Sequence, residues 1–284
     1  MRTIDTVAVL GAGTMGHGIA QVCAASGCTV RLYDVDEEAV ARGLSLIESN
    51  LDKGIERGKV TVGQRNDTLA RLTTTTSVED AVEDVDLVIE AAPESMALKE
   101  KIFREVDAVA PKHAILASNT SSLSITEIAS VLEDPGRFIG MHFFNPVHIM
   151  ALVEIVWGIE TDDEIQDAAV DFARRLGKEP IVVKDVPGFA SSRLGIVLGM
   201  EAIRMVEQGV ATAEDIDKAM ELGYRHPMGP LKLTDLVGLD VRLGIAEYLH
   251  GALESEAFRP PELLRRMVAE GKLGKKSGQG FYSW

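Results

Sequence analysis

The sequence predicts an α/β domain with a mainly parallel, doubly wound sheet, followed by a smaller all-helical domain. Up to residue 184, short β-rich runs alternate with helical patterns, which is typical of parallel strands joined by helices on both faces of a sheet. From residue 185 to 284 the pattern is helical, with no convincing strand alternation. A chain of 284 residues is also longer than most single hydrophobic cores support, which favours two domains.

The elements of the first domain, residues 1–184, follow one another in βα order. A buried strand is predicted at 6–10, and the helix predicted at 15–26 ends at Gly27. In segment 36–57, apolar residues recur three and four positions apart, which predicts a long amphipathic helix. The other strands are predicted at 28–33, 86–91, 114–118, 138–142, 152–156 and 181–183, and the other helices at 94–110 and 162–176.

The second domain, residues 185–284, is predicted to contain helices only. Thr212 and Asp215 resemble a capping box at the start of one of them, with Asp in place of the usual Glu. Such a domain carries more apolar helix surface than one small core buries, so we expect it to form a homodimer as well as to bind substrate. The helices are predicted at 191–208, 213–222, 240–253 and 261–269.

Composition argues against several classes of partner and location. The formal charge of −15 repels phosphate backbones, so we expect neither nucleic-acid nor anionic-membrane binding. No apolar run approaches the roughly 18 residues of a membrane span, and the N-terminus leads directly into a strand without a signal peptide. Cys23 and Cys28 do not form a C-x-x-C pair, so neither a disulfide framework nor a cysteine metal site is expected. These features fit a cytoplasmic protein.

A glycine-rich loop lies between the first predicted strand and helix, with the sequence Gly11-Ala12-Gly13-Thr14-Met15-Gly16. In a Rossmann-type domain the first glycine permits the tight turn, the second lets a pyrophosphate approach, and the third allows close helix–strand packing. Asp34 ends the second strand, where a carboxylate accepts hydrogen bonds from a ribose 2′-hydroxyl and repels a 2′-phosphate. The loop, including Thr14 and Met15, and Asp34 therefore predict NAD as the cofactor. The alternative is a glycine-rich turn beside a solvated Asp.

Polar residues also follow two later strands. His142 ends one strand and Glu154 lies twelve residues on, a pairing that suits proton transfer, although a structural His is as good an interpretation from these residues alone. The segment Ser118-Asn119-Thr120-Ser121-Ser122 follows another strand, and its hydroxyls and amide could bind a substrate oxygen or the nicotinamide. The alternative is a turn with a helix cap at Ser122 or Ser124. The remaining histidines show no metal-ligand spacing, so no metal is expected.

Together these motifs resemble the 3-hydroxyacyl-CoA dehydrogenase family, in particular its short single-chain 3-hydroxybutyryl-CoA dehydrogenases. The Ser-Asn-Thr-Ser-Ser and His-Phe-Phe-Asn-Pro blocks, in this order, are highly specific. The resemblance extends through essentially the whole chain, in the blocks 11–18, 90–94, 117–123, 140–155, 185–193, 226–230, 236–240 and 278–282.

The resemblance implies reversible oxidation of a (3S)-3-hydroxyacyl-CoA thioester to 3-oxoacyl-CoA with NAD. It implies that His142 is the general acid/base and Glu154 its orienting partner. It also implies that Ser121 hydrogen-bonds the substrate's 3-oxygen and that Asn145 lies in the same pocket. Two alternatives stay open: a related dehydrogenase of a free hydroxy or sugar acid, and a non-catalytic NAD-binding protein.

Further ligand contacts come from the same resemblance. Glu94 and Lys99 match positions that touch the cofactor, and Lys53 and Arg57 match cations near the coenzyme A phosphates. Lys53 and Arg57, four residues apart on one helix, share a face, for which a solvated helix surface is the alternative. Ser192 stands where the family usually has an Asn that holds the 3-oxygen. It is expected to keep that substrate contact, the alternative being a helix cap.

Overall fold

The structure, a computed structural model, describes residues 3–284. The first unit of the chain contains a single sheet and the helices that connect its strands. The strands are β1 (Thr6–Leu10), β2 (Thr29–Tyr33), β3 (Leu72–Thr75), β4 (Leu87–Glu90), β5 (Ile115–Ser118), β6 (Phe138–Phe143), β7 (Leu152–Trp157) and β8 (Glu179–Lys184). The helices are α1 (Gly16–Ala25), α2 (Glu37–Glu56), α3 (Val62–Ala70), α4 (Val78–Val82), α5 (Met96–Val109), α6 (Ile125–Ala129) and α7 (Asp163–Arg175).

The eight-stranded sheet confirms the predicted fold class. Its order is β3-β2-β1-β4-β5-β6-β7-β8, and every neighbouring pair is parallel except the antiparallel pair β6–β7. The chain winds from β1 to one side through β2 and β3, then returns to β4 on the other side. In such a sheet the ligand crevice forms at the carboxyl ends of the strands where the order reverses. Here that point lies between β1 and β4.

Residues 58–85 contain structure that the sequence patterns did not indicate. They form α3, β3 and α4. Strand β3 reads Leu-Thr-Thr-Thr and lies at the sheet edge, so it has no apolar run to reveal it. Helix α3 does carry a local signal, because Thr61 and Gln64 form a capping box in which each side chain bonds the other residue's backbone.

The core of the first unit explains why the loops at the strand ends can be held in place. Side chains of the central strands pack against α1, α2 and α7, and Val9, Leu32 and Ile89 are fully buried. Each such burial contributes about 1.5–3 kcal/mol relative to exposure. The resulting sheet is a rigid base from which the polar residues at its carboxyl edge project.

The second unit begins at Pro187, two residues after the expected boundary at 184/185. It is helical, and Thr212 caps helix α9 (Ala213–Lys218) by accepting a hydrogen bond from the Asp215 backbone N at 3.2 Å. The segment predicted as one helix at 213–222 is α-helical to Lys218 and continues as a π turn, Ala219–Gly223. The helices of the second unit are α8 (Ser191–Glu207), α9 (Ala213–Lys218), α10 (Pro230–Val237), α11 (Leu239–Leu253) and α12 (Glu262–Ala269). The sequence patterns did not predict α10.

Within residues 3–284, no helix has both the length and the apolar character needed to cross a membrane. The same residues contain no group of three or more His, Cys, Asp or Glu side chains arranged to hold a metal ion. The cytoplasmic location stays a prediction.

Candidate active site

The glycine-rich loop between β1 and α1 is closely packed at its base and open at its top. Gly11 has φ +104°, in the left-handed region that favours glycine, and its N donates to the Tyr33 carbonyl at 2.7 Å. A Cβ at Gly16 would lie 1.6 Å from the Gly11 carbonyl oxygen, so no side chain fits there. A Cβ at Gly13, in contrast, would meet no described atom within 4 Å. The open space over Gly13 is what a phosphate group requires.

Asp34 lies directly beside this loop. Its Oδ2 accepts a hydrogen bond from the Ala12 backbone N at 2.9 Å, which fixes the carboxylate at the end of β2. Together with Gly11, Gly13, Thr14 and Met15 it lines a cavity of about 620 Å³. The other walls include apolar side chains able to enclose an adenine ring, namely Val35, Val78, Leu98 and Ile102. The residues present therefore fit a dinucleotide, which the glycine-rich loop and Asp34 would hold.

A second cavity, of about 340 Å³, adjoins the first, because Met15, Ala91 and Ala92 line both. It lies at the carboxyl ends of β4, β5 and β6. Six residues singled out from the sequence line this cavity: Met15, Glu94, Asn119, Ser121, His142 and Asn145. A hydride acceptor bound across both cavities would face these side chains.

His142 and Glu154 form a buried pair on neighbouring strands. The antiparallel register of β6 and β7 places the two residues directly opposite each other, and His142 Nδ1 lies 2.7 Å from Glu154 Oε2. Glu154 is fully buried and His142 is 7% exposed. Because a carboxylate accepts hydrogen bonds, Nδ1 carries the proton and Nε2 is the nitrogen that would exchange a proton with a ligand. The ring is also packed against Phe144, with centroids 4.5 Å apart.

The Glu94 carboxylate organises the polar loop after β5. Its Oε1 accepts hydrogen bonds from Thr120 Oγ1 at 2.7 Å, Ser121 N at 3.0 Å and Ser122 N at 3.1 Å. Burial alone raises the pKa of Glu94, but these hydrogen bonds and the charge of Lys99 outweigh it and hold the pKa below its ordinary value. The carboxylate is therefore ionised and holds the loop. The resemblance implied only a cofactor contact for Glu94, and no local pattern indicated this role.

Two further contacts fix the same loop. Asn119 Oδ1 accepts a hydrogen bond from Phe143 N at 2.9 Å, which ties the end of β5 to the end of β6. Ser124 caps α6 by accepting from Glu127 N at 3.1 Å, so the capping alternative is right for Ser124. Ser122 is not that cap, and its hydroxyl donates to Glu94 at 3.0 Å.

Comparison with known families identifies the group of proteins to which this arrangement corresponds. Residues 6–186 match the family model described as the 3-hydroxyacyl-CoA dehydrogenase, NAD binding domain. Residues 188–284 match the model of the C-terminal domain of the same enzymes. The chain belongs to the 3-hydroxyacyl-CoA dehydrogenase family. The predicted resemblance, the prediction of an NAD-dependent dehydrogenase and the choice of NAD as cofactor are thereby confirmed.

Individual relatives of this family are similar over nearly their whole length. The chain is 47% identical over 281 residues to a probable 3-hydroxybutyryl-CoA dehydrogenase of Bacillus subtilis, covering 99% of this chain and 98% of the relative. It is 43% identical over 287 residues to the human mitochondrial hydroxyacyl-coenzyme A dehydrogenase, covering 99% and 91%. The solved structure of an (S)-3-hydroxybutyryl-CoA dehydrogenase from Ralstonia eutropha has a TM-score of 0.96 and 44% identity, covering 99% of both chains.

Lys99 is buried beside two carboxylates. It is 1% exposed, and its Nζ lies 2.7 Å from Glu90 Oε1 and 3.6 Å from Glu94 Oε2. In this geometry the ammonium faces carboxylates in the wall of the site and not an open ligand cavity. Direct contact between Lys99 and the cofactor therefore stays a prediction. Glu90, which Lys99 contacts, was not singled out as a site residue from the sequence.

Lys53 and Arg57 are two of the basic side chains whose charges act on His148. Lys53 is in the last turn of α2 and Arg57 follows its end, and both are exposed. Burial lowers the pKa of His148, and the nearby charges lower it further. Those charges are carried by His17, Lys178, Arg57 and Lys53. Lys53 and Arg57 therefore belong to a local cluster of cations in a chain with a net charge of −15.

Ser192 is the second residue of α8, and Ala190 occupies the capping position. The alternative that Ser192 is the helix cap is therefore wrong. Its contact with the substrate stays a prediction.

Proposed function

We propose that the protein interconverts (3S)-3-hydroxyacyl-CoA and 3-oxoacyl-CoA with NAD, and that 3-hydroxybutyryl-CoA is its substrate. In this reaction His142 is the general acid/base and Glu154 is its orienting partner. The observation that carries the proposal is the 2.7 Å contact between His142 Nδ1 and the buried Glu154 carboxylate, in a cavity that adjoins the glycine-rich loop. The names of the Bacillus and Ralstonia relatives support the 3-hydroxybutyryl group, and the latter name supports the S configuration.

The proton step uses the His142–Glu154 pair. In oxidation, neutral His142 accepts the hydroxyl proton at Nε2, because Nδ1 already donates its hydrogen to Glu154. The glycine-rich loop and Asp34 would hold NAD, which would supply the hydride acceptor for C3 of the substrate. The buried carboxylate stabilises the imidazolium that forms and keeps the ring oriented. In reduction the same imidazolium returns the proton to the 3-oxygen.

The substrate's 3-oxygen is held by Ser121, Asn145 and Ser192. Ser121 and Asn145 line the same cavity as His142. The Ser121 backbone is fixed by Glu94, and its hydroxyl, which donates to the same carboxylate at 3.3 Å, can rotate to serve the substrate. Ser192 donates a hydrogen bond as negative charge grows on the oxygen, so Ser192→Ala should lower kcat by roughly 10- to 10³-fold. A lower melting temperature with unchanged turnover would contradict that role.

Lys53 and Arg57 bind the phosphates of the coenzyme A arm. Their place in a local cation cluster supports this, since the rest of the chain is strongly acidic. Replacing both by Gln should raise the KM for acetoacetyl-CoA and hardly change it for a pantetheine thioester that lacks the nucleotide. Added salt should reduce the wild-type advantage, because attraction between exposed charges is screened. An unchanged KM for the CoA ester would return both residues to the solvated-surface interpretation.

The decisive assay is NADH oxidation with acetoacetyl-CoA, compared with free acetoacetate and gulonate-type sugar acids. Efficient turnover of the thioester alone supports the proposal, whereas preference for a free acid supports the related hydroxy-acid or sugar-acid dehydrogenases. His142→Gln should lower kcat by roughly 10²- to 10⁴-fold while thermal unfolding and NADH binding stay close to wild type. Near-wild-type turnover by a folded His142→Gln variant would show that another group moves the proton. A wild type that binds NADH but turns over none of these compounds would favour the non-catalytic alternative.

The helical unit is also proposed to form a homodimer. Among its described residues, Leu194, Leu222 and Tyr224 are 68%, 80% and 75% exposed. Large apolar side chains left this open on one small unit favour burial against a second copy. Sedimentation equilibrium should give twice the mass of one chain at micromolar concentration, and a monomer would contradict the proposal.

A further inference from the structure

A buried polar network surrounds Glu90, the last residue of β4, and the proton step described above does not use it. Glu90 and Ser118, which ends β5, are both fully buried. Glu90 Oε1 accepts hydrogen bonds from Lys99 Nζ at 2.7 Å and Ala92 N at 2.6 Å. Glu90 Oε2 accepts one from Ser118 Oγ at 2.6 Å. Both oxygens of this buried carboxylate therefore accept hydrogen bonds, one from the loop after β4 and from α5, and the other from the neighbouring strand.

The network extends by two routes from Glu90 to the polar loop after β5, residues 119–122, here called the Ser121 loop. Through β5, the Ser118 hydroxyl accepts a hydrogen bond from Thr120 N at 3.2 Å. Through α5, Lys99 Nζ lies 3.6 Å from Glu94 Oε2, while the other oxygen of Glu94 accepts from Thr120 Oγ1 and Ser121 N. The position of the Ser121 loop therefore depends on Glu90 both through a hydroxyl and through an ion pair.

Stability alone is a weak explanation for this ion pair. Removing two charges from water is expensive, and buried pairs can often be replaced by apolar residues without loss of stability. Through Glu94, the pair does link the loop after β4, whose Ala92 lines both cavities, to the loop after β5, whose Ser121 lines the second cavity. A misplacement of about 1 Å between reacting groups can lower a rate by roughly 10²-fold. A fixed link between these loops is therefore of direct use to the reaction.

We propose that Glu90 is a positioning residue of the active site, which through Lys99 and Ser118 holds the loops after β4 and β5 in the geometry that presents Ser121 to the substrate beside His142. Glu90 itself is fully buried and lines neither of the two cavities. The kinetic consequence rests on the proposed function, whereas the ordering of the Ser121 loop does not.

The test compares Glu90→Gln with the double variant Glu90→Gln/Lys99→Met. The single variant leaves the Lys99 ammonium buried without its closest carboxylate, so both melting temperature and kcat should fall. The double variant removes both charges and should recover most of the melting temperature. Its kcat should nevertheless remain at least about tenfold below wild type. Recovery of kcat together with the melting temperature would show that the pair is only structural.

Ser118→Ala tests the second route and covers the case in which the double variant does not fold. It keeps the ion pair and removes only the hydroxyl between Glu90 and Thr120 N. We expect a kcat about tenfold lower with only a small change in melting temperature. Wild-type kcat in this variant, with an unfolded double variant, would overturn the proposal.

The matched control is a second buried ion pair outside the site. Arg137 contacts Asp107, with 3% and 9% exposure, and neither residue lines the two cavities. Arg137→Met/Asp107→Asn should change the melting temperature and leave kcat and its pH profile at wild-type values. A similar loss of kcat in this control would mean that destabilisation alone explains the Glu90 result.

A measurement that needs no substrate separates this proposal from the proposed function. Hydrogen exchange at the backbone amides of Thr120, Ser121 and Ser122 should be faster in Glu90→Gln/Lys99→Met, and in Ser118→Ala, than in wild type. Unchanged exchange in both variants would overturn the positioning role. Faster exchange in a protein that does not reduce acetoacetyl-CoA would leave the positioning of the loop in place and overturn the proposed reaction.

Discussion

Replacing Gly13 with Ala should separate cofactor binding from folding. A Cβ at this position would meet no described protein atom within 4 Å, and the φ of Gly13 lies outside the left-handed region. The free energy of unfolding should therefore stay within about 0.5 kcal/mol of wild type, as for surface substitutions. The added methyl group would occupy the space over the loop that the cofactor's pyrophosphate requires.

The expected loss of affinity for NADH can be calculated from this steric crowding. Inserting a methyl group into an occupied space costs about 1–3 kcal/mol. The Kd for NADH should then rise roughly 5- to 150-fold. Titration by NADH fluorescence measures the Kd, and thermal unfolding of the protein without cofactor measures stability.

Two other glycines provide the controls. At Gly16 a Cβ would lie 1.6 Å from the Gly11 carbonyl oxygen, so Gly16→Ala should lower both the melting temperature and the affinity. At Gly63, on α3, a Cβ would have only Thr61 Oγ1 within reach, at 3.9 Å, and Gly63→Ala should leave NADH affinity unchanged. Wild-type affinity in Gly13→Ala would refute the reasoning, because the pyrophosphate would then not pass over this residue.

Three further predictions concern specificity, pH and stability. The kcat/KM of the wild type should be at least tenfold higher with NADH than with NADPH, a difference of about 1.4 kcal/mol, and Asp34→Ser should reduce that ratio. Equal use of both cofactors by the wild type would overturn the Asp34 assignment. Folding lowers the pKa of His148, so as the pH falls the unfolded chain binds a proton at His148 before the folded chain does. Between about pH 8 and pH 5.5 the melting temperature of the wild type should therefore fall further than that of His148→Gln. Equal losses would contradict this. Asp235→Ala removes the acceptor of three hydrogen bonds, each 2.9 Å long, from Phe281 N, Tyr282 N and Trp284 Nε1. It should lower the free energy of unfolding in urea by more than about 3 kcal/mol, and a change below about 1 kcal/mol would contradict the reasoning.

The first domain could be predicted well where its patterns are local. A glycine-rich loop between an apolar strand and a helix depends on the φ angles and contacts of neighbouring residues, and Gly11 indeed has a φ of +104°. Helix α2 was apparent because its buried residues recur with helical spacing. Strand β3, with one Leu and three Thr at the sheet edge, has no such pattern, and its pairing with β2 is what makes it a strand.

The sequence by itself determined the fold class, the cofactor loop and the polar residues that end the strands. Only the tertiary structure decided their partners. Glu154 lies opposite His142 because β6 and β7 are antiparallel in that register, whereas spacing alone left a structural His equally open. Glu94 bonds a loop 26 to 28 residues away, and Lys99 is directed at Glu90. Local patterns encode backbone conformation and burial, but which buried charge contacts which is settled by how strands and helices pack together.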